Sequence, residues 1–455
     1  MKSIQRNKNN QYDLTLKDPR TEAVQRNRDL INEMGQFRRV NASLLIITII
    51  LVCFGLIMLF SASMSTSFAT QGDNSQYYFI RQGGLLALGL GVGLFIANFV
   101  DIKFFNNNLL VLILYGITFL LLVMVFLGGS RSTQMGATRW LYIGPIGFQP
   151  SEIAKFSAIL FLSSYFSKTK QERSKGKYRA RTAAKQFWLD GRIDFLIPVL
   201  LVGVWFILIL IQPHLSGAII FAGLCFAVFL AARIPWKSWL SGILQLLPII
   251  LVLILLAVLI YPALNDGASL TDYVAEKFAH SAKRLETHEA EDQVSEDQSY
   301  QTRQAEITMG TGGLTGVGLG QGRQKYNYLP MVHNDYIFPA IAEELGFIGT
   351  MTVLILFAIQ FFLGVKISLN ANSVYSSLIA WGFSFLIIFQ VLLNVGVATK
   401  VIPATGITLP FFSYGGTSNI IFLVEIGMVL CVSRTGQASD PVLRKNLISS
   451  AGKQR

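Results

Sequence analysis

The last charged residue before the chain turns apolar near position 336 is Asp335, in the triplet His333-Asn334-Asp335. A carboxylate at the edge of a low-dielectric region has its pKa raised and can act as a general base. The competing reading is a helix N-cap, with Asn334 or Asp335 as the capping residue. Glu343 and Glu344 follow eight and nine positions after Asp335. A second group lies in GATRWLYIGPIGFQPSEIAK, residues 136–155. Its glycines and prolines disfavour regular helix before Pro150. Pro150, Ser151 and Glu152 read as a helix start, with Glu152 complementing the helix dipole. Lys155 falls one turn later on the same face, so an ion pair with Glu152 is sterically natural. Either this pair is structural, or Arg139 and Lys155 present cations to a lipid-linked phosphate, with Trp140 as an interfacial anchor.

A third group is NVGVATKVIPATGITLPFFSYGGTSN, residues 394–419. Six Gly and Pro residues (Gly396, Pro403, Gly406, Pro410, Gly415 and Gly416) interrupt an apolar stretch there. Non-helical backbone at membrane depth is tolerated only when buried in protein or lining a wet cavity, so a re-entrant loop is expected. Lys400 would sit at its mouth and Ser413 near its exit. A cation beside free backbone N–H groups suits a pyrophosphate; a structural turn is the alternative. The fourth group is scattered: His214, which reads as a core residue, and Glu425, near the middle of an apolar segment. Such an ionisable group must face the bundle interior or a partner helix.

P-loop, GxGxxG, HExxH, DxD and GxSxG patterns are absent, so an ATP-driven pump, a metal-dependent nucleotide-sugar transferase and a serine hydrolase lose support. The glycine-rich run at 310–322 follows no strand and is not a nucleotide loop.

These residues must be held by apolar elements. Of the 455 residues, 52% are hydrophobic and 14% charged, and the mean hydropathy is +0.49. A soluble domain carries about 25% charge, so a soluble multidomain enzyme is excluded. Ten spans are expected, near 43–62, 82–100, 108–128, 151–167, 195–212, 215–232, 243–263, 345–365, 374–394 and 411–433. The expected class is therefore an all-α polytopic membrane protein of about ten transmembrane helices, with a large extracellular loop (264–336) between the seventh and eighth. Residues 1–42 and 435–455 form cytoplasmic tails around a membrane domain of 43–434. Placing both termini inside leaves 27 of the 38 Lys and Arg on that side, in line with the positive-inside rule. The net charge of +12 thus reports topology rather than a nucleic-acid partner. Nine of those basic residues cluster at 168–194, as a solvated stop-transfer loop or a surface for lipid headgroups or a partner. The outer loop, by contrast, is net −5. The three cysteines all lie in apolar runs, which argues against a disulfide framework or a metal site.

In this order, GATRWLYIGPIGFQPSEIAK, QPHLSGA, GTGGLTGVGLGQG with YLPMVHNDYIFPAIAEELGFIG, and VIPATGITLPFFSYGGTS resemble the SEDS family (shape, elongation, division and sporulation) over about residues 43–434. The resemblance implies a peptidoglycan glycosyltransferase that polymerises lipid II at the outer face of the bacterial cytoplasmic membrane. The YNYLP–HND spacing and the SYGGTS ending lie closer to the division and sporulation branch than to the elongation branch. The family's catalytic aspartate falls on Asp335. Its Arg-Trp and Pro-Ser-Glu features fall on Arg139, Trp140, Pro150 and Glu152, with Lys155 three beyond that glutamate. The expected substrate-binding set is Arg139, Trp140, Glu152, Lys155, His333, Glu344, Lys400 and Ser413. No cofactor is assigned by the sequence; a divalent cation, Mg or Mn, is the candidate to replace or assist these cations at the departing pyrophosphate. The implied partners are a class B penicillin-binding protein supplying the transpeptidase and other division proteins at the septum. Four positions depart from the family pattern: His214, Met331, Lys400 and Glu425. The rival functions are a lipid II flippase without covalent chemistry, a scaffold with vestigial activity, or an elongation or sporulation paralogue.

Overall fold

The computed structural model describes residues 40–72, 74–127, 133–134, 137–138, 140–143, 146–212, 215–264, 296–326, 332–402 and 406–436. Nearly all of both expected tails lies outside these residues, as do Arg139, His214 and Met331.

The architecture is all-α and polytopic. Helices α1 (Ala42–Thr70), α2 (Tyr77–Phe99) and α3 (Asn108–Leu127) lead to two short hairpins, β1–β2 (Thr133–Gln134, Ala137–Thr138) and β3–β4 (Leu141–Ile143, Ile146–Phe148). Then come α4 (Pro150–Ser174) and α5 (Ala183–Gly191), the latter passing through a π-helical turn into α6 (Ile197–Ile211). They are followed by α7 (Leu215–Ala231), α8 (Trp236–Leu264) and α9 (Glu296–Gly312). The chain ends in α10 (Ile337–Leu369), α11 (Val374–Ala398) and α12 (Gly416–Gly436). Each expected span coincides with one of these helices. Eight segments, counting α5–α6 as one, are long and apolar enough to cross a membrane. α7 is shorter, and α4 is too polar to be recognised by hydropathy.

Local chemistry sets the boundaries. The Asn41 side chain caps α1 by accepting from Leu44 N at 2.9 Å, and Ser373 caps α11 at Ser376 N. Pro150 opens α4, where its missing N–H has no helical partner to lose. The π turn at 192–196 precedes Pro198, which cannot donate to a carbonyl one turn back and so widens the helix. Several helix ends differ from expectation, with α1 running to Thr70 rather than 62 and α4 to Ser174 rather than 167, and two differences lie beside the site. A short helical stretch from Ile337 precedes the expected start at 345 and joins the rest of α10 across Gly346 (φ +67°), whose backbone is not helical. α12 starts at Gly416 rather than 411, because residues 410–415 form a buried turn.

Small residues bring the helices together. A Cβ on Gly89 would lie 2.9 Å from Ile420 Cα, and one on Gly93 would lie 2.5 Å from Leu423 O, so α2 and α12 touch through backbone. Gly55 of α1 likewise sits against Phe411 O. The common core runs through α1, α4, α10, α11 and α12.

Candidate functional site

Asp335 lies in a turn, residues 332–335, that enters α10. It does not cap that helix. The N-cap residue is Tyr336, and no side chain bonds there. Three other elements pin the turn instead. From α11, Asn394 donates both to the Asp335 carbonyl (3.1 Å) and to the Ile407 carbonyl (2.6 Å). From the segment before α12, Tyr414 N–H donates to the His333 carbonyl at 2.8 Å. From α2, Tyr78 stacks on the His333 ring at 4.7 Å and meets Tyr414 edge-on at 4.8 Å. The Asp335 carboxylate faces Gly406, which has φ +66°. A Cβ on that glycine would approach Asp335 Oδ2 to 3.3 Å, so glycine serves both the backbone and the space beside the carboxylate.

His333 is buried, and its Nδ1 has no hydrogen-bond partner among the described residues. Burial pushes its pKa down to about 4, so the ring is neutral at pH 7. Burial and the neighbouring Asp335 carboxylate push the Tyr336 phenol up to about 12.

Residues 406–415, within the stretch expected to be re-entrant, are non-helical and their side chains are mostly buried. Their polar backbone is satisfied internally. Ser413 Oγ accepts from Leu409 N (2.8 Å), Asn419 Oδ1 accepts from Phe411 N (2.8 Å), and Asn419 Nδ2 donates to Ser413 O (2.8 Å). Ser413, expected to contact substrate, is fully buried and holds this turn.

Glu343 and Glu344 differ from Asp335. The Gly346 kink leaves their carbonyls without helical partners, and Val317 N–H and Gly318 N–H fill them at 2.9 and 3.0 Å. Their carboxylates reach the same glycine-rich loop. Glu343 Oε1 accepts from Arg323 N (2.7 Å) and Glu344 Oε2 from Gly320 N (3.0 Å). Glu344 also pairs with Lys325 Nζ at 2.8 Å and accepts from Ser61 Oγ at 2.6 Å, all buried. Glu344, expected among the substrate contacts, is thus enclosed by protein donors. Gly316 (φ +78°) must be glycine, since a Cβ would sit 2.2 Å from Glu344 O.

The Glu152–Lys155 pair forms at 2.8 Å, with Lys155 only 1% exposed. It is enclosed in the bundle rather than presented at a surface. Glu425 of α12 faces the same pair. Both of its oxygens, and Glu152 Oε2, lack hydrogen-bond partners among the described residues. Trp140 is half-buried just ahead of β3. Lys400, at φ +59°, bonds Glu306 of α9 at 2.6 Å, and both side chains are part-exposed. The structure thus gathers His333, Asp335 and the 406–415 loop at one place and keeps Glu344 and the Glu152–Lys155 pair in separate networks. No three His, Cys, Asp or Glu gather as metal ligands among the described residues.

Asn394, Tyr78, Tyr414 and Gly406 escape a reading of the sequence for ionisable groups. A lone Asn late in an apolar helix was the one available signal. Tyr78 reads as an ordinary interfacial aromatic.

The family model for the FtsW, RodA and SpoVE cell cycle proteins matches residues 41–438. A probable peptidoglycan glycosyltransferase FtsW of Coxiella burnetii is 34% identical over 396 residues, covering 86% of this chain and 96% of the relative. Stage V sporulation protein E of Bacillus subtilis is 33% identical, with the same coverage of each. Among solved structures, a chain described under structural coordination of polymerization and crosslinking by a peptidoglycan synthase complex aligns with a TM-score of 0.61 and 27% identity. That alignment covers 87% of this chain and 98% of the other. The rod shape determining protein RodA of Thermus thermophilus aligns with a TM-score of 0.57 and 25% identity, covering 88% and 98%.

Proposed function

The chain belongs to the FtsW/RodA/SpoVE family of peptidoglycan glycosyltransferases, and from that premise we propose that it polymerises lipid II into glycan strands at the outer face of the cytoplasmic membrane, for septal synthesis during division. The observation that carries this reading is Asp335, on a turn tied down by α2, α11 and the 406–415 loop, with its carboxylate toward a glycine. A sugar hydroxyl attacks an anomeric carbon, a new C–O glycosidic bond forms, and the bond to undecaprenyl pyrophosphate breaks. Asp335 takes the hydroxyl proton as general base. The leaving group has a low pKa and needs charge stabilisation rather than an acid. Lys400, accessible on the segment that leads to Gly406, is the described cation suited to this, exchanging Glu306 for pyrophosphate. Lys155 acts only if its enclosure opens. The neutral His333 leaves Asp335 as the charge of the turn.

Mg2+ is usually held by one or two carboxylates together with substrate phosphates. Were a Mg or Mn ion to arrive with the pyrophosphate, Asp335 would be the carboxylate beside it and the ion would offset the departing charge. The termini lie in the cytoplasm, and a class B penicillin-binding protein crosslinks the product. The FtsW-named relatives support the division role.

The test is a purified lipid II assay with and without that partner. Asp335→Asn loses about 10²- to 10⁴-fold in rate while remaining folded, and normal polymerisation by this variant would refute the base. One observation favours a lipid II transporter instead: α4 buries polar side chains along its length, from Glu152 and Lys155 through Ser157, Ser163 and Ser164 to Thr169. A vesicle flipping assay decides between them, since transport without polymer would replace the enzyme reading.

A further inference from the structure

The basic cluster after α4 plays no part in the reaction above, yet it borders a half-open cavity of about 210 Å³ between α3 and α4. Val111 and Phe161 supply apolar lining. Ser164, Tyr165, Lys168, Thr169, Glu172 and Tyr178 complete it. Phe161, Ser164 and Lys168 occupy one face of α4, at i, i+3 and i+7. Ser164 Oγ is therefore about 6 Å deeper along the helix axis than Lys168.

Three observations point to an occupant. Ser164 is 1% exposed, and its hydroxyl has no hydrogen-bond partner among the described residues. Lys168 forms no ion pair among the described residues, whereas the carboxylate one turn further along α4 is already satisfied: Glu172 pairs with Lys177 at 2.8 Å and accepts from the Tyr178 hydroxyl. The segment beyond is densely cationic, with Lys175, Lys177, Arg179, Arg181 and Lys185 all exposed. A free phosphate would use Lys168 but would leave Ser164 and the apolar lining unfilled. A lipid with an anionic head fits all three depths.

We infer that this cavity binds an anionic phospholipid. The phosphate sits at Lys168, Ser164 donates to an ester oxygen of the glycerol backbone one level deeper, and an acyl chain lies along Val111 and Phe161. The surrounding basic loop concentrates such lipids at the membrane surface. The site is independent of the reaction proposed above, and so is its test, because the readout is binding rather than turnover.

The full chain is stripped of lipid in detergent and titrated with short-chain phosphatidylglycerol or phosphatidylcholine. Retained lipid is counted by native mass spectrometry and Tm is followed in parallel. Phosphatidylglycerol is expected to bind about fivefold or more tightly. Lys168→Gln abolishes that preference with an unchanged lipid-free Tm, while Lys185→Gln, outside the cavity, keeps it. Ser164→Ala weakens both lipids alike, since both carry the ester. Equal affinity for the two lipids, or a preference lost equally in both lysine variants, overturns the site. Inorganic phosphate matching the lipid's Tm shift would also overturn it, by reducing the site to one for a small anion.

Discussion

Two carboxylate regions sit within three turns of each other around the start of α10, and different parts of the chain surround them. Asp335 is fixed through its backbone carbonyl and through its neighbour His333, by groups from three other elements. Glu343 and Glu344 are fixed through their carboxylates, which gather the N–H groups of the glycine-rich loop and the Lys325 ammonium. The Asp335 turn is tied to α11, α2 and the segment before α12, whereas the Glu343 and Glu344 oxygens draw a glycine-rich loop onto α10. Residue type and depth alone do not distinguish the two settings.

The contrast breaks most clearly by exchanging which quantity is lost. Asp335→Asn is expected to cost about 10²- to 10⁴-fold in lipid II polymerisation with little change in Tm. Glu344→Ala is expected to destabilise the fold by about 3–5 kcal/mol, because Lys325 is left buried and unpaired, and thermal unfolding in detergent reads this directly. If Glu344→Ala kept its Tm and lost only activity, the assignment of scaffold and acid would be reversed.

His333 gives a pH test of the same turn. Its folded pKa, about 4, lies below the usual 6.5, so the unfolded chain binds the extra proton between those values. Stability is therefore complete above about pH 6.5 and falls as pH drops towards 4, by at most about 3 kcal/mol. His333→Phe is expected to flatten this part of a Tm-against-pH curve.

Asn394→Ala removes the donor shared by Asp335 O and Ile407 O. Leaving such carbonyls unsatisfied costs about 1–3 kcal/mol. If the tether positions the base, kcat falls by more than KM changes, whereas a purely structural role lowers Tm alone. The smallest effect belongs to Glu425→Leu. The substitution removes a buried carboxylate whose oxygens lack hydrogen bonds and leaves the Glu152–Lys155 pair in place, so Tm is expected to hold or rise slightly.

Most of the fold was legible because a span needs a long apolar run, and such runs survive without tertiary context. The two exceptions beside the site have tertiary causes. A helical stretch from Ile337 precedes the expected start of α10, and the break at Gly346 between them is bonded by a loop from elsewhere in the chain. α12 begins five residues late because Ser413 and Asn419 satisfy a non-helical turn. In the site, Asp335 stood out as the last charge before the membrane. Lys155 stood out as a cation one turn from Glu152 and Glu344 as an acid following Asp335, yet the fold encloses both.

The sequence by itself determined the class, the order of the apolar helices, and the residue on which the functional reading rests. Those follow from hydropathy and charge, which are properties of a local stretch of chain. Only the tertiary structure decided which acids are scaffold, that Asn394, Tyr78 and Tyr414 anchor the Asp335 turn, and that Gly406 faces its carboxylate. These contacts join residues tens to hundreds of positions apart. Which partner satisfies a buried polar group is set by helix packing, and no local pattern encodes it.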